Sequence, residues 1–133
     1  MMETISVRTT SRVEFVEITG PVRQWLKQQD VTSGVLTLYV PHTTAAITIN
    51  EHADPDVIRD LTMELNKVIP FEDRYRHLEG NAAAHIKSSI IGASVQVIVD
   101  NGDLVLGTWQ GIFFAEFDGP RIRKVHLQLA RGC

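Results

Sequence analysis

The chain has 133 residues, a net charge of -3, 44% hydrophobic residues and 22% charged residues. That is enough chain for one domain around one core, residues 1–133, and the balance excludes an intrinsically disordered chain. The charge creates no overall field to draw in nucleic acid, and no apolar run reaches the ~20 residues of a membrane span, so neither nucleic acid nor a membrane is an expected partner.

No cationic start followed by an apolar run marks a signal peptide, which makes a cytoplasmic location the expectation. The one cysteine, Cys133, ends the chain. It allows no intrachain disulfide, fits a reducing compartment, and is a poor nucleophile candidate because nothing fixes its position.

The opening "TISVRTTSRVEFVEIT" alternates well enough for two strands or one bent strand, with Thr10-Ser11 as the break. "GPVRQWLKQQ" predicts a short helix with Pro21 at its first position and Val22, Trp25 and Leu26 on one stripe. Residues 35–40, VLTLYV, read as a strand covered on both sides and ended by Pro41. In "AAITINE", Ile47 and Ile49 share one face of a strand, and Ala46, Thr48 and Asn50 share the other. "DPDVIRDLTMELNKVIP" is the clearest helix: Asp54 caps it, Pro55 opens it, Val57, Leu61, Leu65 and Val68 recur at helical period, and Pro70 stops it.

In "RHLEGNAAAHIKSS", Asn81 is the expected helix cap, Ala82 begins the body, and the helix ends near Gly92. The remainder, from Ser94 to Ala130, is almost all strand, with a hairpin at Asn101-Gly102 and a turn at Asp118-Gly119-Pro120. The predicted fold is α+β: a mostly antiparallel, strongly coiled sheet, as a sandwich or barrel, with two or three helices.

His77 and His85 are eight residues apart. On one helix that spacing is about 12 Å of rise, too far to share an ion. With His77 on the loop entering the helix, both imidazoles can converge. Zinc takes nitrogen from His and oxygen from Asp or Glu, so His42, His77, His85 and one carboxylate are candidate ligands; half-buried or surface histidines are the alternative. Glu51, His52 and Asp54 gather after the "ITIN" strand; a helix cap is the favoured reading of Asp54 and a solvated imidazole that of His52, while a surface ion pair explains Glu51 as well as a functional role does. His126 faces solvent on its strand. Lys87, Ser88 and Ser89 offer a cation and two hydroxyls to a phosphate, against the alternative of a solvated lysine and serines bonded to their own helix. Trp109 suits a pocket wall, the core or a subunit contact. No Ser-x-x-Lys motif, nucleophile elbow, HExxH helix or EF-hand loop is present.

Four ordered stretches, "PHTTAAITINEHADPDV", "YRHLEGNAAAHIKSSIIG", "NGDLVLGTWQGIFFAEFDGPR" and "RKVHLQL", together resemble the YjbQ family, from about Thr10 to the end of the chain. The resemblance implies a compact, largely antiparallel α+β domain assembled as a homotrimer. The family's histidines fall on His42, His77 and His85, its acid on Glu51, its "GTWQ" on Gly107 to Gln110, and its "HIKSS" on His85 to Ser89. Some members carry the label secondary thiamine-phosphate synthase, which implies joining a pyrimidine pyrophosphate to a thiazole phosphate with release of pyrophosphate.

The expected function is therefore a metal-dependent enzyme acting on a small phosphorylated substrate, with thiamine-phosphate synthesis as a weak capacity. A divalent metal, zinc by its ligands, would sit on His42, His77 and His85. Glu51, His42 and Lys87 would be catalytic; Lys87, Ser88, Ser89 and Gln110 would bind the substrate, with Arg121 and Arg123 as further cations. The alternative is a non-catalytic protein that binds a metal or small ligand. One departure stands out: Ala82-Ala83-Ala84 occupy a segment where family members carry a polar or acidic residue that would orient the following histidine.

Overall fold

Two antiparallel sheets curl against one another into a half-barrel, with three helices outside them. The computed structural model describes residues 2–132, so Met1 and Cys133 lie outside the described residues. In chain order the elements are β1 (Met2–Arg8), β2 (Glu14–Glu17), α1 (Thr19–Lys27), β3 (Gly34–Tyr39), β4 (Ala45–Glu51), α2 (Pro55–Val68), α3 (Ala82–Ile91), β5 (Ser94–Asp100), β6 (Asp103–Leu104), β7 (Gln110–Glu116) and β8 (Ile122–Arg131). One sheet has the order β1-β8-β3-β5-β6 and the other β2-β7-β4. The opening segment is two strands, and they belong to different sheets.

β7 is the central strand of the smaller sheet, and Gly111 to Glu116 are buried along it. Ile112 and Phe114 join Ile47 in the main core between the sheets. Ala115 and Phe117 join Ala46 on the opposite face, where Ala84 of α3 packs against them. This contact explains the alanine run. Ala83 and Ala84 are fully buried, and small side chains let α3 lie close to the sheet where a polar residue would lose water without a partner.

β3 corrects an expectation. Leu36 and Leu38 are buried while Val35 and Tyr39 are exposed, so the strand is covered on one side only. Its outer face is carried by side-chain pairs instead: Tyr39 stacks on His126 with ring centroids 6.5 Å apart, and His126 Nδ1 lies 2.9 Å from Thr4 Oγ1.

The helices obey their local signals. Asp54 Oδ1 accepts the Asp56 N–H at 2.9 Å, Pro55 opens α2, and the helix ends before Pro70. α1 starts two residues earlier than expected, which puts Pro21 in its first turn, and Val22, Trp25 and Leu26 are buried as predicted. Asn81 takes the cap position of α3, yet its side chain makes no cap bond; the amide donates to Asp118 Oδ2 at 2.9 Å. At the β5–β6 hairpin Asn101 and Gly102 have φ of 51° and 74°, the paired left-handed conformations that an Asn-Gly turn accommodates. No helix among the described residues is long and apolar enough to cross a membrane.

Candidate functional site

The loop between β3 and β4 presents His42 and Thr43, and it is fixed from behind. Arg123 Nη2 donates to Thr44 Oγ1 at 2.9 Å and to the Thr44 carbonyl at 3.3 Å. Arg123 Nε in turn donates to Glu116 Oε1 at 2.8 Å, and its Nη2 donates to Glu116 Oε2. Both side chains of this ion pair are buried. Burial pushes the Glu116 carboxyl up, but hydrogen bonds from Arg123, the Asp118 N–H and Thr9 together hold it below the ordinary range.

His42 Nε2 accepts the Lys124 N–H at 3.0 Å. A neutral ring so placed carries its proton on Nδ1. Partial burial, and then the Arg123 charge, lower the imidazole pKa, so the neutral form is favoured.

Across from this loop, α3 brings His85, Ser88 and Ser89 to the same cleft, about 510 Å³, which Gly92 also lines. Ser88 is 8% exposed, and its Oγ has no hydrogen-bond partner among the described residues. Ser89 Oγ donates to the His85 carbonyl at 2.8 Å, the local helix bond weighed from sequence. His85 also borders an adjoining cleft of about 280 Å³ with Tyr75, Arg76 and His77. The His77 and His85 ring centroids are 5.2 Å apart. The loop placement of His77 thus lets the two imidazoles meet, as the alternative to a single helix required.

The other expected members are elsewhere. Lys87 is fully buried rather than a mobile surface cation. Its Nζ donates to Asn66 Oδ1 and lies 4.1 Å from the Phe71 ring centroid. Helix geometry separates it: with about 100° per residue, positions 85, 88 and 89 share a face and position 87 turns away from it. Glu51 and Gln110 are paired across β4 and β7, at the opposite end of β4 from Ala45, which lines the His42 cleft. Seven residues of strand put about 20 Å between those ends. Glu51 Oε2 accepts the Asp54 N–H at 3.2 Å and Gln110 Oε1 accepts the Gly107 N–H at 2.8 Å. Arg121 is paired with Asp118 at 3.0 Å, so neither it nor Arg123 is a free cation.

The expected metal centre is not borne out. No group of three His, Cys, Asp or Glu side chains among the described residues is placed to hold a metal ion. His77 and His85 meet only as a pair, His42 commits Nε2 to a backbone amide, and Glu51 is at the far end of its strand. The zinc-type cofactor is withdrawn on that geometry.

Sequence reasoning also passed over residues that matter. Arg76 adjoins His77 in the chain, and that basic pair was there to be read. The Arg123–Glu116 pair spans the β7–β8 connection, and its burial has no sequence signal.

A family model described as UPF0047 protein YjbQ-like matches residues 3–132. The UPF0047 protein YugU of Bacillus subtilis is 52% identical over 130 residues, covering 97% of this chain and 98% of that protein. A UPF0047 protein of Methanocaldococcus jannaschii is 47% identical, with 97% and 94% covered. Among solved structures, an uncharacterised conserved YjbQ/UPF0047 protein from Clostridium acetobutylicum superposes with a TM-score of 0.94 at 49% identity, covering 96% of this chain and 99% of that one. A hypothetical protein from Aeropyrum pernix has the same TM-score at 37% identity, with 99% of each chain covered.

Proposed function

The chain belongs to the YjbQ-like family, and we propose that it binds a small phosphorylated molecule in the cleft between His42 and His85. The observation that carries this reading is Ser88, which lines the cleft and whose buried hydroxyl has no partner among the described residues. A buried polar group without a bond costs about 1–3 kcal/mol, so an occupant that bonds to it recovers that cost. Phosphate oxygens are strong acceptors for the Ser88 hydroxyl and for the Nδ1–H of His42. Arg76, which lines the adjoining cleft with His77 and His85, supplies the positive charge, and the two imidazoles offer further hydrogen-bonding nitrogens.

Of the two classes raised from sequence, the buried Lys87 favours a binding protein over a synthase. Departure of pyrophosphate calls for fixed, uncommitted cations at the cleft; Lys87 is buried against Asn66, and Arg121 and Arg123 are paired with Asp118 and Glu116. The test is calorimetric titration with a phosphorylated thiazole, followed by addition of the pyrimidine pyrophosphate. Saturable binding is expected, weakened about tenfold in Ser88→Ala and in His85→Ala, the size of one lost charge-assisted hydrogen bond. Binding that is unchanged in both variants overturns the reading, and formation of thiamine phosphate restores the synthase.

We propose further that the chain assembles as a homotrimer. The family resemblance supports it, as do Trp109 and Val105, which are 62% and 53% exposed beside the buried β7. The apolar run at 112–117 gives no support, because it is core within one chain. Light scattering should return three times the 14.9 kDa chain mass; a 14.9 kDa particle would exclude the trimer.

A further inference from the structure

A second polar constellation occupies the far end of β4. His52 Nδ1 lies 2.8 Å from Glu17 Oε2. The same carboxylate oxygen accepts Thr19 Oγ1 at 2.9 Å, and Thr19 Oγ1 accepts the Ile112 N–H at 2.8 Å. The direction of each hydrogen follows. The amide can only donate, so the threonine hydrogen goes to Glu17; an ionised carboxylate only accepts, so His52 Nδ1 carries the proton. In the neutral ring, Nε2 then holds the free lone pair, and it has no hydrogen-bond partner among the described residues.

This contact is built into the backbone. Thr19 is buried, and His52 N–H donates to the Trp109 carbonyl at 2.9 Å. A Cβ at position 111 would stand 2.6 Å from Glu17 Oε2 and 2.7 Å from His52 Cβ, so glycine at 111 is what lets the carboxylate and imidazole come together. A chance surface ion pair needs neither a buried threonine relay nor a glycine cut-out.

His52 borders a cleft of about 330 Å³ whose apolar wall includes Phe15, Ile58 and Phe113, and whose rim carries Glu51 and Asp54. The cleft's one guanidinium, on Arg59, is already bonded to Asp56 at 2.7 Å. Apolar walls receive a ring, the rim carboxylates disfavour an anion, and Nε2 asks for a donor.

We propose that Glu17 and His52 form a proton-accepting dyad, and that this cleft binds a small neutral or cationic ring compound that donates an N–H or O–H to His52 Nε2. Where the donor is acidic enough, its proton moves to Nε2, the electron pair of the broken bond stays on the ligand, and Glu17 holds the resulting imidazolium; return of the proton reverses the step. This is the orienting role a carboxylate plays behind any histidine base, here on a site separate from the His42 cleft.

The test uses the full chain labelled with ¹⁵N. Long-range ¹H–¹⁵N spectra above the histidine pKa should show the His52 proton on Nδ1, and titration with 4-aminopyrimidine should shift the His52 Nε2 resonance saturably. Glu17→Gln should populate the other tautomer and weaken 4-aminopyrimidine binding about tenfold, while leaving phosphorylated-thiazole binding at the His42 cleft unchanged. Gly111→Ala should act in the same sense, and retention of the β-sheet amide spectrum in Glu17→Gln guards against simple misfolding. A proton on Nε2 in the parent chain overturns the dyad. Absence of a saturable His52 shift with 4-aminopyrimidine, or equal binding in Glu17→Gln, overturns the ligand site.

Discussion

Lys87 Nζ lies 4.1 Å from the centroid of the Phe71 ring, and the Arg12 guanidinium covers the same ring at 3.6 Å. No carboxylate among the described residues pairs with this buried ammonium; Asn66 Oδ1 is its acceptor. Burial, and secondarily the Arg12 charge, lower the amine from 10.5 to about 8. The unfolded chain therefore binds this proton more tightly than the folded one. Between about 8 and 10.5 folding releases it, so the contribution of Lys87 to stability is least favourable below pH 8 and improves as pH rises through that window. Urea unfolding of the parent chain and of Lys87→Met across this range should show the parent gaining on the variant with pH. Parallel curves would mean that the ammonium is solvated.

The Arg123–Glu116 pair makes a prediction of the same sense in the acid range. The Glu116 carboxyl is held below its ordinary pKa, so its stabilisation is present above the unfolded carboxylate value and is lost as pH falls through the folded one. Arg123→Leu leaves a buried carboxylate unpaired and should cost about 3–5 kcal/mol at neutral pH. Adding Glu116→Leu should recover much of that loss, because it removes the stranded charge. The arginine charge also depresses His42, so in Arg123→Leu the His42 pKa should rise. Denaturant unfolding reads the first two effects and a histidine NMR titration reads the third.

What the sequence made legible was local. The Asp54 cap, the Pro55 start and the Asn101-Gly102 hairpin are settled by neighbouring residues, and each is where it was expected. The meeting of His77 and His85 was also readable, because Asn81 at the cap sets the helix start and puts His77 on the loop. What failed was distance. His42 and Glu51 are nine positions apart, but an extended strand carries them to opposite ends of a sheet, which dissolves the expected metal-and-base constellation. Lys87 failed for a related reason: its burial depends on Asn66 and Phe71, which belong to other segments. The alanine run looked like a lost polar partner and is instead the packing face of α3.

α2 should be the loosest of the long elements. None of its residues is buried, and Val57, Leu61, Leu65 and Val68 line an open apolar cleft of about 500 Å³ together with Ile90 of α3. Helices with few buried contacts open at low free-energy cost. Hydrogen exchange read by mass spectrometry should show α2 amides exchanging well before those of β7, and Asp54→Ala, which removes the cap at a cost of about 1 kcal/mol, should accelerate α2 selectively. Protection of α2 equal to that of β7 would mean that another chain covers the stripe in solution.

Gly92 links the end of α3 to the His42 cleft, and its conformation leaves little choice of residue. With φ of 104° and ψ of 160° it lies outside the left-handed helical well that asparagine tolerates, in a region open essentially to glycine alone. Its N–H donates to the Ser88 carbonyl at 2.9 Å, closing the last turn, and its carbonyl accepts the Ile47 N–H at 3.1 Å, tying that turn to β4. A Cβ at this position would meet no atom within 4 Å. The cost of Gly92→Ala is therefore backbone strain, about 1–3 kcal/mol, and not a steric clash. Relief of that strain by rotation would disturb both hydrogen bonds and shift Ser88 and His85 relative to the loop bearing His42. Urea unfolding should register the stability loss, and titration with the phosphorylated thiazole should show weaker binding. Gly92→Asn separates the explanations: it should cost as much as alanine in this conformation, whereas recovery by asparagine would place Gly92 in the ordinary left-handed well and remove the predicted link between this glycine and the cleft.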